Sequence, residues 1–376
     1  MKFKNYSLFA LIVLTLLFSC EKDDKIQPPV PILSQTSTDV TVNLAQKFNF
    51  SIGTINNDSF TNEWKLNGEV VGTGMNYEFI AKVAGAYTLV YTARNEAGTF
   101  SYSYKINVPV PVVPVTPGSS KYISKVFEYL PAPGQLINES LGSPEQAQKL
   151  IGSTSNILSL GGFGGYVVFG FDHSINNQTG YDLAIYGNPS GAPYHFSEPG
   201  IVMVSQDSNG NGLPDDEWYE LAGSEYAKAT TIKNYEITYT NPNAFANVPW
   251  TDNQGNSGVL LVNNFHKHNF YPLFAANQTK LTFKGTLLPS TVGKSGSIVI
   301  SSPYEWGYTD SYSTGDDYKT NLYNSFDISW AVDKTGKKVT LSTVDFVKVY
   351  TGQNADGGSL GEISTEIKGA ADLNIK

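Results

Sequence analysis

Two proline-rich stretches divide this chain before anything else is considered. The first is Gln27-Pro28-Pro29-Val30-Pro31. The second is Val108-Pro109-Val110-Pro111-Val112-Val113-Pro114-Val115-Thr116-Pro117-Gly118. Prolines at every second or third position favour an extended, semi-rigid spacer. The chain is therefore expected to fold in separate parts. Residues 20–31 read as a tether, 32–108 as one small domain, 109–120 as a linker and 121–376 as a larger domain.

The beginning of the chain concerns location. Lys2 and Lys4 precede an apolar run over residues 8–18, which closes as Leu17-Phe18-Ser19-Cys20. A basic start, a short apolar core and a small residue before the cut form a secretory signal. The run is about half the length needed to span a bilayer as a helix. Cys20 is the only cysteine, so it serves no internal disulfide. The segment resembles the lipobox of bacterial lipoproteins. That resemblance implies a signal peptide over 1–19, lipidation of Cys20 and a membrane-held protein. Glu21-Lys22-Asp23-Asp24 resembles the acidic export signal of Bacteroidetes-type lipoproteins, which implies exposure on the outer membrane. A plain solvated tether accounts for the same residues.

Charge narrows the partners. Lysine plus arginine total 25 against 34 acidic residues, a net charge of −9. Loss of Lys2 and Lys4 takes the processed chain to about −11. Such a chain does not attract nucleic acid phosphates. Arg94 is the only arginine, so residues 121–376 hold no guanidinium fork for a phosphate or carboxylate. Tyrosine (23), phenylalanine (20) and glycine (35) are plentiful, and only 16% of residues are charged. That composition suits all-β sandwiches with long loops.

Residues 32–108 alternate at period two. The runs are 41–44, 48–52, 86–93 and 99–108, with Asn67-Gly68 between 63–66 and 69–71. Asn-Gly between apolar runs is a strong hairpin signal. Trp64-Lys65-Leu66-Asn67-Gly68, Gly85-Ala86-Tyr87 and Asn95-Glu96-Ala97-Gly98 resemble the PKD domain, an immunoglobulin-like sandwich. The resemblance implies a core role for Trp64 and a spacer role for the domain.

Residues 121–376 offer one helical stretch, 143–151, with Pro144 at the first helical position and Glu145 in the first turn. Strand-like runs cover 165–171, 201–205, 235–239, 280–283, 297–300 and 346–350. Several intervening loops exceed hairpin length, which marks them as carriers of function.

The sharpest of these loops is Asp207-Ser208-Asn209-Gly210-Asn211-Gly212-Leu213-Pro214-Asp215-Asp216-Glu217. Oxygen side chains stand at positions 1, 3, 5 and 9, with glycine at 6. Calcium takes six to eight hard oxygens on a backbone that can curl around it. Asp207, Asn209, Asn211, Asp215, Asp216 and Glu217 are the ligand candidates. Trp218 stands where an EF-hand has its bidentate glutamate, so Asp216 or Glu217 would substitute. A turn that binds nothing uses the same residues. His266 and His268, two apart, share one face if extended and would need a third metal ligand. Gly161-Gly162-Phe163-Gly164-Gly165 precedes a strand, the wrong order for a dinucleotide loop.

The aromatic run Pro303–Tyr312 interleaves Tyr304, Trp306, Tyr308 and Tyr312 with Asp310. It suits stacking on a flat apolar or sugar face; the same rings would also plug the end of a sandwich. Trp250 with Asp252 and Asn253 is a smaller version.

The second domain resembles a family of bacterial cell-surface proteins with a jelly-roll, galactose-binding-like fold. The carrying motifs are residues 160–173, 197–205, 215–223, 324–328 and 345–350. The resemblance implies a non-catalytic lipoprotein that captures a small molecule or glycan, corrinoids such as vitamin B12 included. Capture would feed a TonB-dependent outer-membrane transporter. The alternatives are a calcium-dependent glycan hydrolase or lyase, and an adhesin. An enzyme needs carboxylates or a tyrosine–lysine pair converging in one cleft with perturbed pKa values. A binder needs an aromatic-floored pocket.

Overall fold

A computed structural model describes residues 25–54, 59–316 and 318–376. The signal segment, Cys20 and the acidic cluster after it lie outside the described residues. Val108–Lys376 and the short Lys82–Gly85 segment form one compact unit, and the rest of the described chain forms another. Both are all-β, as the composition predicts.

The first unit is an immunoglobulin-like sandwich of two sheets. One sheet runs in the order Asp39–Thr41, Gly98–Val108, Gly85–Asn95, Thr61–Leu66, Glu69–Gly72, and its first pair is parallel. The other runs Pro31–Leu33, Lys47–Thr54, Asn76–Ile80. The alternating side chains meet between them. Trp64 is fully buried, with Tyr91 at 4.6 Å and Phe50 of the facing sheet at 6.1 Å between ring centroids. Its indole donates to the Gly74 carbonyl at 2.9 Å, so the buried N–H is satisfied. Asn67 and Gly68 take left-handed φ values of 50° and 93°, the turn that lets Leu66 pair with Glu69.

The second unit is built on a six-stranded antiparallel sheet. Its order is Ala331–Val332, Trp218–Leu221, Gly200–Ser205, Thr343–Thr351, Tyr166–Asn176, Lys125–Leu130. Because side chains alternate across a strand, each strand contributes to two faces. Val167, Phe169, Val202, Val204, Val347 and Val349 project to one face, where they join Leu183, Ile185, Phe326 and Ile367 in the largest core. Tyr166, Ile201, Met203, Lys348 and Tyr350 project to the other.

That second face lies against a four-stranded antiparallel sheet: Ser257–Leu260, Val248–Asp252, Ile232–Thr240, Lys280–Leu287. Its own core gathers Phe163, Tyr235, Ile237, Tyr239, Phe270 and Phe283, with Tyr166 packed on the edge. The helical stretch is shorter than its pattern suggests. It spans Pro144–Gln148, with the Ser143 hydroxyl accepting from the Gln146 N–H as N-cap. Part of the proline-rich stretch is strapped down rather than free. Val113 N–H donates to the Ser174 hydroxyl, and Ser174 N–H donates to the Val113 carbonyl, each at 2.9 Å.

Candidate functional site

The two sheets of the second unit leave a cleft of about 590 Å³ between them. Its floor is one cross-strand row of the six-stranded sheet. Glu220 pairs with Met203, and Met203 pairs with Lys348. Register therefore puts Glu220 and Lys348 on a face that also carries Tyr166, Ile201 and Tyr350, and the row continues through Val168 to Glu128. Trp218, two residues before Glu220, shares that face, and Tyr226 follows on the next loop.

The opposite wall comes from the four-stranded sheet. The ladder between Ile232–Thr240 and Lys280–Leu287 slips between Ile232 and Tyr235. Asn234 takes a left-handed φ of 53° there, held by Asn253 Nδ2 donating to its carbonyl at 2.8 Å. Such a bulge re-aims a side chain, and Lys233 and Asn234 become cleft residues. Gly285 is required nearby. A Cβ at that position would meet the Tyr350 ring at 2.7 Å. Next to it, Thr286 ties the two sheets together. Its N–H donates to the Tyr350 hydroxyl at 2.9 Å and its hydroxyl donates to Glu220 Oε2 at 2.6 Å.

Burial shifts the charged groups. Desolvation raises the Glu220 carboxyl above its ordinary value, partly offset by Thr286 and Lys233. Desolvation pulls Lys233 down to about 8, with Glu220 opposing. The Lys233 ammonium lies 2.9 Å from the centroid of the Tyr226 ring and has no hydrogen-bond acceptor. Lys348 is likewise lowered by burial; its ammonium stands 3.7 Å from the Tyr166 ring centroid. Glu236 and Lys284 form an ion pair of 2.6 Å at the rim. The cleft thus combines flat aromatic surface with a cation that needs an acceptor oxygen.

The aromatic loop does something different from presenting a flat stack. Tyr304 and Tyr308 are buried with Ile201, Leu288 and Tyr350. Tyr304 donates to the Pro289 carbonyl and accepts from Gln353 Nε2 at 2.9 Å. Tyr308 accepts from the Glu225 N–H at 3.1 Å. These two rings plug the interior and are withdrawn from any ligand. Asp310 is withdrawn too, at 1% exposed. Trp306 is half-buried against Trp330 at 4.7 Å, and Tyr312 lies 5.8 Å from the His195 ring. Trp250 lines a smaller, separate pocket. The sequence motif therefore does not converge on one surface.

Asp310 instead joins Glu198 and Glu366, with one oxygen of each within 4.8 Å of the others. Asp310 accepts from the Asn188 and Glu366 N–H groups at 2.8 and 2.9 Å, and Glu198 accepts from the Ser364 N–H at 2.9 Å. Glu198 is partly exposed by surface area yet enclosed by protein atoms. Burial, then the Asp310 charge, pushes it up to about 8. Burial also drives Asp310 and Glu366 well above the carboxylate range. Three carboxylates enclosed this close together repel one another, and that repulsion adds to burial in favouring their protonated forms.

The Asp207–Glu217 loop connects two strands of the main sheet. Asp207 accepts from the Asn211 and Gly212 N–H groups at 3.0 and 2.9 Å, and Gly210 and Gly212 adopt left-handed φ values of 70° and 72°. The Asn209 and Asn211 amides donate to Asp215 and lower its pKa. At the base, the Asp207 N–H donates to Asp345 at 2.8 Å, and the Ser208 hydroxyl donates to Asp216. Asp216 Oδ2 is buried without a donor. Glu217 is exposed and accepts from Tyr219, turned to a different partner. The donor chemistry of Asp207, Asn209, Asn211, Asp215 and Asp216 fits a hard cation. His266 and His268 both reach Glu139, at 2.9 and 3.1 Å, and that carboxylate bridges them.

No family model and no curated protein matches the chain. Among solved structures, the fibronectin(III)-like modules of Clostridium thermocellum CbhA are 19% identical. They cover 21% of this chain and 95% of their own, with a TM-score of 0.18. A quinonprotein alcohol dehydrogenase-like protein from Bacteroides thetaiotaomicron is 11% identical over 64% of this chain and 71% of its own, with a TM-score of 0.21. Likenesses this weak carry no argument about fold or activity.

Proposed function

We propose that the protein is a lipid-anchored surface protein that captures a small molecule or glycan in the cleft of its second unit. A corrinoid remains within that class. Capture hands the ligand to an outer-membrane transporter, as the sequence resemblance implies. One observation carries the binding role: a cleft of about 590 Å³ in which Lys233 is half-buried, with its ammonium nitrogen enclosed beside the Tyr226 ring and lacking an acceptor. That volume falls within the usual range of small-molecule sites, roughly 300–1,000 Å³. A ligand oxygen would complete the Lys233 ammonium, while Trp218 supplies a flat face. A calcium ion in the Asp207–Asp216 loop would stiffen the turn that leads into Trp218; the orphaned Asp216 oxygen supports that role.

A glycan lyase has one observation in its favour, the Lys233–Tyr226–Glu220 grouping. Yet burial, Glu220 and Asp333 raise the Tyr226 hydroxyl above its ordinary value, which makes it a poor base at neutral pH. The test is a binding screen of the processed chain against glycans, corrinoids and porphyrins, with product analysis of every glycan. Binding lost in Trp218→Ala and Lys233→Met supports capture. Turnover of a glycan that disappears in Lys233→Met overturns it in favour of the enzyme.

A further inference from the structure

The histidine pair His266 and His268, which in the sequence lacks a third ligand, acquires one in the fold. Glu139 lies in a turn closed by the Gly142 N–H donating to its carbonyl at 3.1 Å, beside Asn138 at a left-handed φ of 71°. Asn138 fastens that turn to the loop that carries the histidines. Its amide donates to the Asn269 and Tyr271 carbonyls at 3.0 and 2.9 Å, and its Oδ1 accepts from the Leu273 N–H at 2.9 Å. On the loop, Asn263 Oδ1 accepts from the His266 N–H at 3.0 Å. These bonds hold the Glu139 carboxylate between the two rings. Its Oε2 is 2.9 Å from His266 Nδ1, and its Oε1 is 3.1 Å from His268 Nδ1.

The two contacts differ in kind. His266 Nδ1 meets the carboxylate in a hydrogen bond. His268 Nδ1 is enclosed and makes no hydrogen bond, although Oε1 stands so close. The other nitrogen of that ring lies 2.8 Å from the Ile137 carbonyl. A carbonyl only accepts, which assigns the ring proton to Nε2. Neutral His268 therefore sets an Nδ1 lone pair beside a carboxylate oxygen, two acceptors with no donor between them.

We infer that Glu139, His266 and His268 form a binding site for a zinc ion, with water completing its coordination. A metal-ligating histidine characteristically donates its other ring N–H to a backbone carbonyl, carboxylate or water, and His268 does so to Ile137. Tetrahedral zinc at ~2.0–2.1 Å from nitrogen and oxygen ligands holds neighbouring ligand atoms ~3.3 Å apart. The separation of 3.1 Å between His268 Nδ1 and Glu139 Oε1 is close to that. His266 stands at the other carboxylate oxygen, its ring centroid 6.4 Å from that of His268. All three side chains are partly exposed, so a rotation of His266 brings it in as third ligand and solvent reaches the fourth position. Two imidazoles and one carboxylate suit zinc. Calcium takes six to eight oxygens instead. The site shares no residue with the larger cleft and does not depend on the capture reading.

The test is calorimetric titration of zinc chloride into the untagged processed chain carrying Cys20→Ala, which removes its only thiol. One zinc per chain is expected, with a rise in melting temperature that a chelator reverses. His266→Gln, His268→Gln and Glu139→Gln should each weaken binding at least tenfold, and Asp207→Ala should leave it unchanged. His266→Gln serves if Glu139→Gln folds poorly. Excess calcium should not displace the zinc. If the carboxylate only pairs with protonated rings, no stoichiometric zinc binding appears, and that result overturns the site. Undiminished binding in any of the three variants, or displacement by calcium, overturns it as well.

Discussion

The six-stranded sheet presents two faces made from the same strands, and they do opposite things. On one, Val347 and Val349 lie between Phe169, Val167, Val202 and Val204, and every neighbour is apolar. On the other, Lys348 sits between Met203 and Val168 in the same strands, with Glu220 one position further along the row. A shift of one residue along the chain separates the packed core from the cleft. The first face stabilises the fold by excluding water; the second keeps charges half-desolvated, and under the proposed capture a ligand completes them. Mutations should therefore separate into two classes even when the residues are adjacent in sequence.

The largest effect is expected on the packed face. Phe169→Ala removes a fully buried ring and should cost about 3–5 kcal/mol in denaturant unfolding. The neighbouring-face change Lys348→Met should cost less than about 1.5 kcal/mol or stabilise, because a desolvated cation is exchanged for an apolar chain of similar length. If the two changes cost the same, the division between faces is wrong.

The buried acids give the next effect. The folded-state pKa of Glu198 is raised from 4.5 to about 8, and those of Asp310 and Glu366 are raised well above their usual values. Between the unfolded and folded values the native state binds more protons, so stability falls as pH rises. The contribution is complete below about pH 4.5 and is lost as pH passes through about 8. Lys233 acts oppositely, but only above about pH 8. The melting temperature should therefore decline from pH 5 to pH 8, and Glu366→Gln should flatten the slope. A rising melting temperature over that window would contradict the protonated cluster.

Calcium should come next. At 100 times its dissociation constant it should add ~2.7 kcal/mol to unfolding, and Asp207→Ala should remove most of that gain. A melting temperature indifferent to both chelator and added calcium would show that the loop is held by its own hydrogen bonds alone. Trp306→Ala sharpens the comparison from outside the sheet. The indole packs on Trp330, so its loss should lower stability by roughly 1–3 kcal/mol with ligand affinity per folded molecule unchanged.

Much of the fold was legible in sequence. Period-two alternation located the strand-like runs that were named except 41–44, where the strand is Asp39–Thr41 and the chain then turns, and Asn67-Gly68 gave its hairpin. The site was less legible, for identifiable reasons. Lys348 between Val347 and Val349, and Glu220 after Trp218 and Tyr219, are charges inside strands; period two puts them opposite the core, and that signal was readable. Lys233 was not, because a bulge that shifts the register leaves no mark in a single sequence beyond an asparagine at 234. The aromatic density of 304–312 misdirected attention for a related reason. Rings that fill a core and rings that stack on a ligand have the same composition, and only packing against Ile201 and Leu288 distinguishes them. Asp310 was gathered with Glu198 and Glu366 by residues far apart in the chain, which no local pattern encodes.

The most direct test of the central claim is the affinity of the best ligand from the screen, measured by calorimetry on wild type, Lys233→Met and Trp218→Ala, with the melting temperature of each. The account predicts at least a tenfold loss of affinity in both variants and little change in melting. Unchanged affinity in both variants, with both folded, would contradict it and move the ligand away from the cleft.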